Sequence, residues 1–262
     1  MSMEFEAAIE NFPELAGDLQ AFAAHVHNCL MQINEDSYNL DLKHDHSLRV
    51  LAVAGEMLKD LRPDRPLGRA ILLAALYHDF GRFTQYLKYK TYRDSRSEDH
   101  GILGARTLAR FKLPLESPPG LRALVLGAVA LHNRITVPAE LPAALNFAAR
   151  VVRDADKLDI MALMRRHFTR PEGCDPVVVL HLPDEPDKFS GDILRQALNG
   201  GIIDYGDLRF VNDFKILFAC WRHDLNFRIS RDLLNKSGNL RSIINTLPTA
   251  ARIPLLNQLS NS

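Results

Sequence analysis

The chain has 262 residues, 47% of them hydrophobic and 24% charged. These are the proportions of a globular protein and exclude a disordered, collagen-like or coiled-coil chain. Its 32 basic and 32 acidic residues cancel, which argues against a protein whose main task is to coat nucleic acid or an anionic membrane.

Helical spacing dominates in chain order. Apolar positions recur at three- and four-residue steps over Glu14–Ile33 and Lys43–Leu61, and Ala70–Tyr77 is apolar throughout. A polar stretch, Gly81–Glu98, reads as irregular. Helices come next over Asp99–Phe111, Leu121–Leu131 and Leu141–His167, the last as one helix or two pieces, with a break at Pro114–Pro119. Between Arg170 and Asp192 four prolines and Val177-Val178-Val179 predict a loop with one short strand. Helix resumes over Asp192–Leu198, Phe210–Asn226, Ser230–Asn235 and Arg241–Leu247, and Pro248 and Pro254 limit any helix nearer the C-terminus. The expected fold is all-α: residues 1–170 as a helical domain, and 171–262 as a loop plus C-terminal helices packing on it. Those helices carry Phe218, Trp221 and Phe227, apolar enough to serve a homodimer as well as a core.

Cys29, Cys174 and Cys220 are far apart and form no CxxC pair, so they read as buried reduced thiols. The acidic N-terminus lacks a signal-peptide pattern, and no apolar run approaches the ~20 residues that span a bilayer. A cytoplasmic protein is expected.

The ten histidines are the compositional oddity. His46 is in line with Val50, Val53 and Met57, on the inward face of its helix. His78 and Asp79 end the most apolar helix, where a carboxylate is costly to bury unless it is paired, for instance with a metal. His100 opens the next helix and His132 closes the one after. Asp156 shares a face with Ala149, Val152, Ile160 and Leu163. A lone buried histidine is more often a core residue than a ligand, and His223-Asp224 shows how little a His-Asp pair means alone. As an ordered set, four imidazoles and two carboxylates suit Mn, Fe, Ni, Co or Zn, with Mg less suited.

The order His46, His78-Asp79, Asp156 resembles the HD-domain superfamily of metal-dependent phosphohydrolases. The local phrases agree: HDHSLRVLAVA, ALYHDFGR and DADKLD, with DHGILGARTL and ALHNR resembling the segments that add two histidines in members holding two metals. Asn133 stands where one subgroup has an adjacent histidine, and that subgroup's Gly-Tyr-Pro signature is absent. The Ala-Asp-Lys-Leu phrase selects Asp156 as the ligand and leaves Asp154 as a supporting neighbour. The resemblance covers about Lys43 to Leu163.

It implies an HD-type helical bundle with a helical C-terminal extension. His46, His78, Asp79 and Asp156 would hold one metal and His100 and His132 a second, with Asp79 bridging. The implied reaction is attack of a metal-activated hydroxide on a phosphomonoester or phosphodiester. Cations should then meet the phosphate: Arg82 first, with Lys157 and Arg134 next, among Lys88, Lys90, Arg93 and Arg96. Tyr86, Tyr89 and Tyr92 are interleaved there and could stack on a base, although core packing accounts for at least one. The expected substrate is a small, nucleotide-like phosphate ester, with neither a nucleic-acid polymer nor a membrane as partner. Two alternatives share the ligand order: a mixed-valent di-iron oxygenase and a catalytically silent nucleotide sensor. Of the other histidines, His44 is a neighbour of the site, and His25, His27, His167, His181 and His223 read as structural or solvated.

Overall fold

The computed structural model describes residues 12–33, 37–111, 119–138, 140–170 and 173–260. Among these residues there is no strand, and the fold is all-α. The chain forms two compact units, 1–159 and 160–262. The division falls inside a helix, not in the proline-containing loop.

In the first unit the helices are α1 (Ala16–Leu30), α2 (Tyr38–Leu61), α3 (Arg65–Tyr77), α4 (Phe80–Tyr89), α5 (His100–Arg110), α6 (Pro119–Leu131) and the larger part of α7 (Ala143–Phe168). Helix α3 is central: every residue from Ala70 to Tyr77 is buried, and α2 and α6 pack against it. It begins at Arg65, earlier than its apolar run. The Asp64 carboxylate accepts the Leu67 N–H at 2.8 Å, and Pro66 occupies the first turn, where no N–H is needed. Residues 112–118, most of the expected proline break, lie outside the described residues, as does the acidic N-terminus.

The stretch from Gly81 to Glu98 corrects the sequence reading. Phe80–Tyr89 is a helix, ending at Lys90 in the left-handed conformation. Its pattern is hard to read because Gln85, as well as Phe80 and Phe83, faces inward. Gly81 explains its position. A Cβ there would overlap the His100 carbonyl oxygen and lie 2.6 Å from the Gly104 backbone nitrogen. Only a glycine lets α4 approach α5 this closely, which sets Asp79 and His100, each at the start of its helix, side by side.

His25 is buried on α1. Its ring centroid lies 4.1 Å from that of Phe80 and 5.0 Å from that of Phe111, and burial pushes its pKa down to about 4. The neutral ring is what the folded state accepts. Its contribution is therefore whole above the ordinary value of 6.5 and is lost as pH falls toward 4. We expect acidification across that interval to cost up to roughly 3 kcal/mol through this residue. His25→Phe should flatten the dependence in urea melts at pH 7 and pH 4.5, and an unchanged slope would assign it elsewhere.

The second unit contains the end of α7, then α8 (Gly191–Leu198), α9 (Val211–Trp221), α10 (Arg228–Ser237), α11 (Asn239–Asn245) and α12 (Thr249–Ser260). Phe168, Phe214, Phe218 and Trp221 pack in sequence, with successive ring centroids 6.5, 5.1 and 4.8 Å apart. The expected strand at Val177–Val179 is instead a run of turns. Asp175 accepts the Val177 and Val178 N–H groups, and Leu180 and His181 have left-handed backbones. Pro254 lies within α12 and does not end it. The proline forfeits one backbone hydrogen bond, while Ala251 and Leu255 bury the helix face. The cysteines are free; Cys29 and Cys220 are buried, but Cys174 is only half-buried. No helix among the described residues is long and apolar enough to cross a membrane.

Candidate metal centre

The candidate ligand residues come from five helix ends or faces of the first unit. His46 projects from the middle of α2, and His78 and Asp79 form the corner between α3 and α4. His100 begins α5, His132 comes directly after α6, and Asp156 sits near the middle of α7. The structure brings all six together. His46 Nε2 lies 3.2 Å from His78 Nε2 and 3.1 Å from Asp156 Oδ1. His100 Nε2 lies 3.0 Å from His132 Nε2. Asp79 stands between the two pairs. Its Oδ2 is 3.5 Å from His46 and 3.6 Å from His78, and its Oδ1 is 3.5 Å from His100 and 3.7 Å from His132.

Each imidazole is fixed through its other nitrogen. Nδ1 of His78 donates to the Ala75 carbonyl at 2.8 Å and Nδ1 of His132 to the Val129 carbonyl at 2.7 Å. Nδ1 of His46 meets Asp159 at 2.7 Å and Nδ1 of His100 meets Asp94 at 2.6 Å. Such partners put the proton on Nδ1 and leave a lone pair on Nε2. Four lone pairs and two carboxylates then face one another at 3.0–3.7 Å. Asp156 Oδ1 is buried with no hydrogen-bond donor. Acceptors crowded in this way need a cation between them, so the donor set fits a divalent metal. Among the described residues two groups meet the distance requirement for an ion, His46/His78/Asp156 and His78/Asp79/His132.

Electrostatics point the same way. Burial works against ionised Asp79, but Lys43 and His78, with His132 and Arg82, hold its carboxyl well below the usual range. Burial likewise opposes ionised Asp156 and is outweighed by His46 and His78. Burial and Lys43 lower His46, yet Asp156 and Asp159 prevail and raise its pKa: the pocket favours positive charge.

The cations expected around the phosphate divide. Arg82 Nε is 3.6 Å from Asp79 Oδ1, while Nη1 donates to Gln85, to the Tyr92 carbonyl and to Asp94. Lys88 pairs with Glu98 at 3.1 Å, Lys90 lies over the Tyr86 ring, and Arg134 pairs with Asp99 at 3.3 Å. Arg96 is exposed and Arg93 half-buried; Lys157 and Asp154 are buried on α7. Tyr92 is a core residue, its hydroxyl donating to the Asn39 carbonyl, and Tyr89 donates to Glu98. His44 stacks on Phe22 and pairs with Asp45.

Sequence reasoning missed Lys43, whose Nζ is 2.6 Å from Asp79 Oδ2, and the supporting carboxylates Asp159 and Asp94. Two of these had a signal. Lys43 is three residues before His46, and Asp159 is three after Asp156, each on its ligand's helix face. Asp94 had none, because it reaches His100 from a 3-10 turn (Asp94–Arg96) outside any periodic pattern. Asn133 donates to Asp99 at 3.0 Å and supports the His100 end. A cavity of about 480 Å³ lined by Arg65, Leu67, Arg69 and Leu124 lies at the N-terminal end of α3. That is the opposite end from His78 and Asp79, so it is not part of this centre.

The first unit is thus a helical bundle that gathers four imidazoles around a shared aspartate, with a second aspartate completing one side, a set of side chains that could hold a divalent metal. Residues 44–161 match the HD domain family, so this segment of the chain is similar to HD domains. HD domains bind divalent metals and form a superfamily of metal-dependent hydrolases, generally phosphohydrolases. No curated protein and no solved structure matches the chain.

Proposed function

We propose that this protein hydrolyses a phosphomonoester or phosphodiester of a small, nucleotide-like molecule at a centre for two divalent metals. The observation that carries the reading is the two-sided Asp79 carboxylate, with His46 and His78 on one oxygen and His100 and His132 on the other. His46, His78 and Asp156 would hold one ion and His100 and His132 the other, Asp79 serving both. Mn, Fe, Ni, Co or Zn suits these ligands best. When bound, such ions lower the pKa of coordinated water toward neutrality and neutralise phosphoryl oxygens. Lys43 and Arg82 flank Asp79 at 2.6 and 3.6 Å and would meet the charge that develops on those oxygens. Lys157, next to Asp156 in the chain, is assigned to the same task. Asp156, whose side chain is 16% exposed, is the most open of the ligands, and the substrate would approach on its side.

A small anion suits the site better than a polymer. Beyond Lys43 and Arg82, the basic residues Lys88 and Arg134 are already paired with Glu98 and Asp99, which reduces the positive charge that they offer a polymer beside the site.

The test is a screen of nucleotides and phosphodiesters with Mn, Co, Ni, Mg and Fe. Hydrolysis that needs added metal and stops with EDTA is expected. A flat panel would favour a nucleotide sensor. Tightly held iron together with dioxygen uptake would replace the hydrolase with an oxygenase.

A further inference from the structure

We propose that Asp94 is a positioning residue that ties the His100/His132 metal position to the phosphate-binding arginine. The inference rests on the reading of Arg82 as a cation for substrate phosphate. Asp94 Oδ2 accepts from His100 Nδ1 at 2.6 Å, while Oδ1 accepts from Arg82 Nη1 at 2.9 Å and from Gln85 Nε2 at 2.9 Å. The circuit closes on the bridging ligand. Arg82 Nε and His100 Nε2 lie 3.6 and 3.5 Å from the same oxygen, Asp79 Oδ1. One carboxylate therefore sets the imidazole that binds the ion and the guanidinium that binds the anion, on the same side of Asp79.

The turn that carries Asp94 is itself anchored. Gln85 is fully buried, and its Nε2 also reaches Ser97 Oγ at 2.7 Å and the Glu98 carbonyl at 2.9 Å. The opposite metal position has a separate support, Asp159, which accepts from His46 Nδ1 at 2.7 Å and from Arg49 Nε at 2.7 Å. The two positions should therefore respond independently when either supporting carboxylate is changed.

The chemistry of an asparagine at this position separates the two roles. Its single carbonyl oxygen can serve only one side. Oδ1 takes two donors at 2.9 Å, one of them the charged Arg82, whereas Oδ2 takes His100 and only a longer contact from Asn133 Nδ2 at 3.4 Å, so the oxygen should stay with Arg82 and Gln85. The amide NH2 then faces His100 Nδ1 and drives the ring proton onto Nε2, which removes the metal-binding lone pair. An alanine supports neither group.

The experiment uses the full chain, stripped of metal and titrated calorimetrically with Mn2+, and then the Mn2+-saturated protein titrated with inorganic phosphate. Wild type should bind two Mn2+ ions. Asp94→Asn should weaken one of them about 10–100-fold and leave the other, and phosphate affinity at Mn2+ saturation, near wild type. Asp94→Ala should weaken the same ion and also phosphate, and its phosphate loss should vanish in an Arg82→Gln background. Asp94 is one-third exposed, and a melting temperature close to wild type would show that the variants fold.

A wild type that binds one Mn2+, equal weakening of both ions, or phosphate loss undiminished without Arg82 would each overturn the inference. If the pattern holds but no ester is cleaved, the hydrolase reading fails and the coupling stands. If esters are cleaved and the Asp94 variants bind both probes like wild type, the coupling fails and the hydrolase reading stands.

Discussion

Asp79→Asn is expected to abolish both metal-dependent stabilisation and hydrolysis, because the two oxygens of Asp79 face the imidazoles on both sides of the centre at 3.5–3.7 Å. The substitution keeps the volume but removes the charge and the second acceptor oxygen that a bridging ligand requires. In wild type, Mn2+ at a hundred times its dissociation constant should stabilise the fold by about 2.7 kcal/mol for each ion bound, a rise in melting temperature of roughly 5–10 °C per ion. Asp79→Asn should lose most of that rise, and EDTA should remove it from wild type. Hydrolysis should fall by roughly 10³-fold or more, since neither nucleophile activation nor charge neutralisation survives. A variant that keeps the full thermal shift would show that the ions bind elsewhere.

Gly81→Ala should produce the largest change from a single carbon atom. The new Cβ would overlap the His100 carbonyl and sit 2.6 Å from Gly104 N; both are backbone atoms that cannot rotate away. Separating α4 from α5 to admit it should cost about 3 kcal/mol. Because Asp79 and His100 begin those two helices, the His100/His132 metal position should weaken before the one built on His46, His78 and Asp156. Gly104→Ala, whose Cβ would meet Gly81 N at 3.0 Å, should be milder, and Gly120→Ala, with nothing within 4 Å, neutral. Chemical denaturation and Mn2+ titration of the three variants check this order. Equal stability of Gly81→Ala and Gly120→Ala would refute the close-packing argument.

The long helices were readable where apolar residues recur strictly, as in α2 and α7. Helix α3 was recognisable by its unbroken run, although its true start depends on the Asp64 cap and on Pro66. Helix α4 was not, because it turns a polar residue, Gln85, into the interior. That makes sense only once the Asp94–Glu98 turn is present to accept its amide. Val177–Val179 shows the converse. A β-branched run met no second strand to pair with, and Asp175 captured its N–H groups in a turn.

At the centre, the sequence by itself singled out the six candidate ligands that the fold brings together: His46, His78, Asp79, His100, His132 and Asp156 stand out by residue type, order and helix face. It also determined that charge is balanced overall. The tertiary structure decided which side of Asp79 each ligand occupies, that Lys43 is its nearest cation, and that Asp94 and Asp159 hold the imidazoles. Periodicity reports which face of one helix is buried. It is silent on the contacts between helices and loops far apart in the chain, and those contacts place His100, Asp94 and Arg82 around one carboxylate oxygen.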